Sequence, residues 1–93
     1  MQLEIISPER VLLNTEIRVV TVPGVNGMFQ MLNNHAPIVS ILEKGYVRFE
    51  PTAELPKEMR KHFFKGNGDK QLSIEIKGGV VEMNNNKAIV LID

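Results

Sequence analysis

Short apolar runs, each closed by turn-forming residues at intervals of roughly eight to twelve, run the length of this chain and are the pattern of an all-β sandwich or barrel. They read "QLEII", "RVLL", "EIRVVTV", "APIVSIL", "YVRFE", then after an interruption "QLSIEIK", "GVVEM" and "KAIVLI". In "QLSIEIK" the alternation puts Leu72, Ile74 and Ile76 on one face and Ser73, Glu75 and Lys77 on the other, so that strand is expected to have one wet side. "EIRVVTV" places Ile17, Val19 and Thr21 on one face and Arg18, Val20 and Val22 on the other, and "AIVLI" is apolar on both. Such strands either bury two sides within the domain or present one to another protein. The asparagines at 84 to 86 read as a hairpin connection, because asparagine tolerates positive φ and bonds its own backbone. The last two strands are therefore expected to pair antiparallel.

With 93 residues there is room for one domain and a modest core. Eleven Lys and Arg balance eleven Asp and Glu, which leaves no basic excess for nucleic acid. Cysteine is absent, so neither a disulfide framework nor a thiolate metal site is available. A glutamate at position 4 and a proline at position 8 argue against a signal peptide, and no apolar run approaches a membrane span. Any membrane contact is expected to run through a partner.

The interruption, 51 to 70, is too polar for a core strand and too long for an ordinary hairpin loop. Pro56 suits a first helical turn, Leu55, Met59 and Phe63 recur every fourth residue, and Gly66 supplies a stop, so a short amphipathic helix is expected near 55–65. Its outer face would carry Lys57, Arg60, Lys61 and Lys65 against Glu58. That face is either solvated or docks on an acidic partner.

Chemistry is thin. His35 and His62 are the only histidines, and neither sits in a spaced motif with a nucleophile or an orienting carboxylate. His35 precedes Ala36-Pro37 at a loop-to-strand junction, where a hydrogen bond to nearby backbone is the simplest role. Two distant histidines do not make a metal site. Gly24 and Gly27 lack the strand-to-helix context and the lysine of a phosphate loop and fit turns at positive φ instead. No catalytic, cofactor-binding or metal-binding residue is assigned. An interaction module with surplus apolar surface is the reading that remains.

The order of landmarks resembles one family: the N-terminal β-sandwich domain of the epsilon subunit of the F-type ATP synthase, called delta in mitochondria. The resemblance rests on "VPGVNGMF", on "HAP" at 35 to 37, on "LEKGYVRF" and on "GGVVEMNNNKAIVLID". It implies a flattened sandwich of two sheets of short antiparallel strands, a non-catalytic rotor subunit without cofactors, clasping the gamma subunit and resting on the c-subunit ring. In a bacterium it would lie at the cytoplasmic face of the inner (plasma) membrane. Ser7 and the run 35–40, with His35, Ile38 and Ser40 singled out, would lie at the gamma contact, with Val20, Val22, Ile89 and Leu91 as further candidates. Asn26, Gly27, Met28, Gln30, Met31 and Asn33 would face the ring, with Phe29 and Leu32 anchoring their loop to the sandwich. Gly24, Gly27, Pro37 and Gly45 would be structural turns.

Three departures accompany the likeness. Many members continue into a two-helix C-terminal domain able to brake hydrolysis, and that hairpin is expected to be absent from the single domain 1–93. Met28 stands where many members carry an acidic residue, and Gln30 where they carry glycine. The 51–70 segment is longer than usual. A stand-alone β-domain binding a small ligand or peptide is the alternative, and an enzyme with an unrecognised site is a third.

Overall fold

The structure is a computed structural model that describes residues 1–66, 68 and 70–93. Strands β1 (Gln2–Ile6), β2 (Val11–Gly24), β3 (Gly27–Leu32), β4 (Ile38–Leu42) and β5 (Gly45–Pro51) precede the helical turn α1 (Lys57–Arg60). Then follow β6 (Phe64–Lys65), β7 (Leu72–Ile76), β8 (Gly79–Asn84) and β9 (Lys87–Ile92). Among the described residues no helix is long and apolar enough to cross a membrane.

One strand organises the sandwich. The runs "RVLL" and "EIRVVTV", expected as two strands, are a single strand of 14 residues, β2, because no turn residue interrupts the polar step at Asn14-Thr15. Its first half pairs with β1, from Gln2↔Glu16 to Ile6↔Val11. Its second half pairs with β3 and with β5. One layer therefore reads β2-β1-β9-β8-β4 and the other β3-β2-β5-β7-β6, with β2 common to both and a single Gly24↔Leu42 bridge joining their far ends. The expectation of short antiparallel strands needs two corrections: β2 is long, and β1 lies parallel to β9, from Gln2↔Lys87 to Ile6↔Leu91. Parallel neighbours need a long crossover, and here nearly the whole chain supplies it.

The core is built from alternate residues of both layers: Leu3 and Ile5, Leu13 and Ile17, Val20 and Val22, Met31, Val47 and Phe49, Val81 and Met83, Ala88 and Val90. Here the reading of β2 is corrected. Register against β5 steps from Ile17↔Pro51 to Val19↔Glu50, two residues on β2 for one on β5. This bulge at Arg18 reverses the phase of the strand, so odd-numbered Leu13 and Ile17 and even-numbered Val20 and Val22 all enter the same core. Val20 and Val22 are fully buried inside the sandwich and offer nothing to a partner. Arg18, the extra residue, points out and its Nε lies 3.5 Å from Glu50 Oε1.

The expected hairpin at 84–86 is present. Asn85 and Asn86 take φ 52° and 59° between the paired residues Asn84 and Lys87, as a two-residue connection matched to strand twist requires. The helix near 55–65 shrinks to one turn. Pro56 precedes it, and Leu55, Met59 and Phe63 do pack on the core, with Phe63 edge-on to Phe49 at 5.0 Å. Helical period then stops because Phe64 and Lys65 leave to pair with Ser73 and Leu72. That pairing also corrects the wet side of β7: Ser73 is buried between Arg48 on β5 and Phe64 on β6, a place open only to a small side chain.

Candidate interaction surface

The outer face of the β2-β1-β9-β8-β4 layer is split into an apolar end and a polar end by register alone. Ile41 lies opposite Val80, Val80 opposite Leu91, Leu91 beside Ile6 and Ile6 opposite Val11. Five strands thus contribute one apolar side chain each to a continuous row across the sheet. Val11 is 53% exposed, Ile41 65% and Leu91 50%, and Val39, one step back on β4, is 70% exposed. The next row holds Val39, Glu82, Ile89, Glu4 and Asn14 and becomes polar towards β1 and β2, where Lys87 Nζ reaches Glu4 Oε1 at 3.8 Å and Gln2 donates to Asn14 Oδ1 at 2.6 Å. Large apolar side chains left contiguous in water at one end of a sheet have the composition of the centre of an interface rather than of ordinary surface. Beyond the Leu42 bridge, β4 pairs only with β8, so the apolar row ends at an open strand edge.

The residues expected at the gamma contact are partly displaced from this face. Ile38 and Ser40 point inward, beside Met83 and Val81, and are half-buried, whereas Val39 and Ile41 carry the outward parity of β4. Sequence reasoning included Val39 only within the run 35–40, without singling it out, and missed Ile41, Val80 and Val11. In "IVSIL" either parity offers apolar residues, and only the pairing with β8 decides between them. Leu91 and the half-buried Ile89 do lie on the outer face. Ser7 closes the turn after β1: its amide and hydroxyl both donate to the Arg10 carbonyl, at 2.9 and 3.1 Å. His35 Nδ1 donates to the Ala36 carbonyl at 2.7 Å, the backbone role expected of it, which fixes the proton on Nδ1.

The segment expected to face the ring is a hairpin rather than a loop. β2 and β3 pair to Gly24↔Gly27 with Val25 and Asn26 at the tip. Gly27 alone of these takes positive φ, 114°, and a Cβ there would meet nothing, so the constraint is torsional. Gly24 is not at positive φ, which corrects the expectation for it; it is glycine because a Cβ would lie 2.8 Å from the Phe29 ring. Gly45 likewise admits close approach, with Pro23 Cβ 2.9 Å from the place of its own Cβ. Pro37 leads directly into β4.

Val25, Asn26, Gly27, Met28 and Gln30 are exposed, and Phe29 packs on the core as expected. Met31 is fully buried, since β3 alternates and Met28, Gln30 and Leu32 hold its outward parity. It cannot touch a partner, and Leu32, expected to anchor the hairpin, is exposed instead. Asn33 Oδ1 accepts from the Met1 amino group at 2.7 Å and so joins the start of β1 to the end of β3. Among the described residues no three His, Asp or Glu side chains gather into a metal-binding group.

The family model described as "ATP synthase, Delta/Epsilon chain, beta-sandwich domain" matches residues 1–93. The ATP synthase epsilon chain of Chlorobaculum tepidum is 33% identical over 89 residues, 96% of this chain and 84% of that one. The epsilon chain of Magnetococcus marinus is 29% identical over 93 residues, and there this chain spans only 56% of the relative's length. Among solved structures, a chain in the central stalk/c-ring assembly of Tetrahymena thermophila mitochondrial ATP synthase aligns with TM-score 0.73 over 99% of this chain and 62% of its own length. At 16% identity that likeness speaks for the fold. Sequence over the whole chain and architecture thus agree that the chain belongs to the family of ATP synthase delta/epsilon β-sandwich domains.

Proposed function

We propose that the chain is a non-catalytic subunit of the central stalk of a rotary ATP synthase, and that its apolar outer row is the surface seated on the rotating shaft formed by gamma. The observation that carries the reading is the row Ile41, Val80, Leu91, Ile6 and Val11, which the fold assembles from five strands and leaves uncovered. Family membership supplies the context, since the relatives are epsilon chains and the structural neighbour sits in a central stalk/c-ring assembly. Torque must pass without slip, and a broad apolar contact spread over several rigid strands resists shear better than one strong point contact. The subunit makes and breaks no bond in this role.

The exposed tip Val25, Asn26, Gly27 and Met28 projects from the layer that does not carry the apolar row, and this tip is our candidate for the c-ring contact. Methionine suits it, because an unbranched thioether adapts to an irregular surface. Membrane contact then comes only through the complex, at the cytoplasmic face if the source is bacterial.

Cysteines introduced singly at Ile41 and Met28 in the assembled synthase test both ends. Cysteine at Ile41 is expected to crosslink to gamma and cysteine at Met28 to a c subunit. Crosslinking of Ile41→Cys to the ring, or of neither variant to any subunit, overturns the orientation. A stand-alone ligand-binding domain has no support beside the family match, and it predicts a chain that never co-purifies with the synthase.

A further inference from the structure

The longest insertion in the chain builds a hollow of about 440 Å³ on the other layer, away from β4, β8 and β9. Arg18 reaches it from the bulge of β2, Arg60 from α1, Lys65 from β6 and Lys70 from the turn before β7. Among the described residues Glu54 is the one carboxylate of the lining, and the buried Leu55 and Leu72 form an apolar floor. The chain as a whole is neutral, so four cations against one anion among the described residues is a local concentration of charge rather than a share of a general excess.

Two features hold this charge in place. Arg60 is partly buried and its Nη1 donates to the Phe63 carbonyl at 2.9 Å, which fixes the guanidinium at the wall. Lys65 sits on β6, tied to β7 at Leu72, and the turn carrying Lys70 is braced by Gly66 N to Gln71 O at 2.8 Å and Gln71 N to Gly68 O at 3.2 Å. Only Arg18 among the four has a carboxylate within ion-pair reach among the described residues, Glu50 at 3.5 Å. Like charges gathered over an apolar floor repel one another, and a concave wall of low dielectric focuses their field into the hollow. The volume is that of a small-molecule site.

We propose that this hollow binds a small anion carrying two or more phosphoryl charges, with Arg18 and Arg60 gripping phosphate oxygens as planar forks and Lys65 and Lys70 as point charges. A long nucleic-acid backbone does not fit the same observation, because the cations converge on one concavity instead of following a stripe. The anion is free in solution or is the headgroup of a phospholipid, and the two sources share this chemistry. Nothing in the site depends on the seating of the apolar row.

The test is a titration of the ¹⁵N-labelled chain with inorganic pyrophosphate. Saturable shifts are expected at the amides of Leu55, Arg60, Lys65 and Leu72, and the exposed double variant K65Q/K70Q should weaken binding by about tenfold or more. A control with the same net charge, K44Q/K77Q, should keep the affinity of the parent, and the dispersion of each spectrum verifies the fold. Vesicles of phosphatidylcholine with phosphatidylglycerol separate the sources. Retention on them that pyrophosphate competes away assigns a headgroup, and pyrophosphate shifts without vesicle retention assign a free anion. Absence of saturable shifts up to roughly 10 mM pyrophosphate, or equal losses in the two double variants, overturns the proposal.

Discussion

The two outer faces of this sandwich are made of the same kind of strand and end in opposite conditions. On the layer β3-β2-β5-β7-β6, outward side chains answer one another. Arg18 pairs with Glu50 at 3.5 Å, Arg48 lies 5.2 Å over the Tyr46 ring, and Tyr46 meets Phe64 edge-on at 6.1 Å. On the layer containing β4, β8 and β9 the outward row Ile41, Val80 and Leu91 pairs apolar with apolar across the strands and is left exposed. Outside the cationic hollow and the exposed hairpin tip, the first face answers its own side chains. A face that leaves apolar area in water gains free energy only when something covers it, at about 25 cal/mol for each Å² removed from water. This difference, rather than any reactive group, is what the proposed function rests on.

The comparison is broken most directly by charging the apolar face. The double variant I41D/L91D is expected to lower affinity for the rest of the synthase by roughly a thousandfold, about 2 kcal/mol at each central position. Its thermal unfolding should move little, because both side chains are already half or more exposed. Reconstitution followed by co-sedimentation reads the first effect and calorimetry the second. Retained binding would mean that the row is ordinary surface.

A sharper form of the same test uses neighbouring residues of one strand. Ser40 points inward and is half-buried opposite Val81, while Ile41 points out. Ser40→Asp should therefore cost about 3 kcal/mol of stability, by placing a charge against the core, in contrast to Ile41→Asp. Denaturant unfolding of the two single variants checks this. Equal stability losses would mean that β4 is read with the wrong parity.

The smallest effect belongs to the self-satisfied face. Arg48→Ala removes the guanidinium over Tyr46 and is expected to cost about 1 kcal/mol or less, leaving assembly unchanged. Loss of assembly in that variant, measured by the same co-sedimentation, would make the second face an interface as well.

Local rules carried much of this structure. The asparagine turn between β8 and β9 was legible because positive φ is a property of two residues and needs no distant partner. So were the short helical turn after Pro56, the need for glycine at Gly27 and the backbone bond of His35. The order of apolar runs, with "VPGVNGMF" and "HAP", sufficed for the family. Which of the candidate contact residues are exposed was legible only in part. Met28 is exposed, but Met31, Ile38 and Ser40 share the stretch 26–40 with exposed residues while pointing the other way. A strand has period two, so an error of one residue moves a side chain from solvent to core.

What the amino-acid order determined by itself is the alternation, the turns and the absence of a spaced catalytic motif, all of which rest on residues a few positions apart. Tertiary structure decided the rest. The bulge at Arg18 that sends Val20 and Val22 inside exists only in register against β5, some thirty residues away. The parallel β1–β9 pair and the apolar row across five strands require partners from opposite ends of the chain, and the hollow brings Arg18 to cations more than forty residues on. Periodicity specifies which residues of a strand share a face, and only pairing specifies which face meets water.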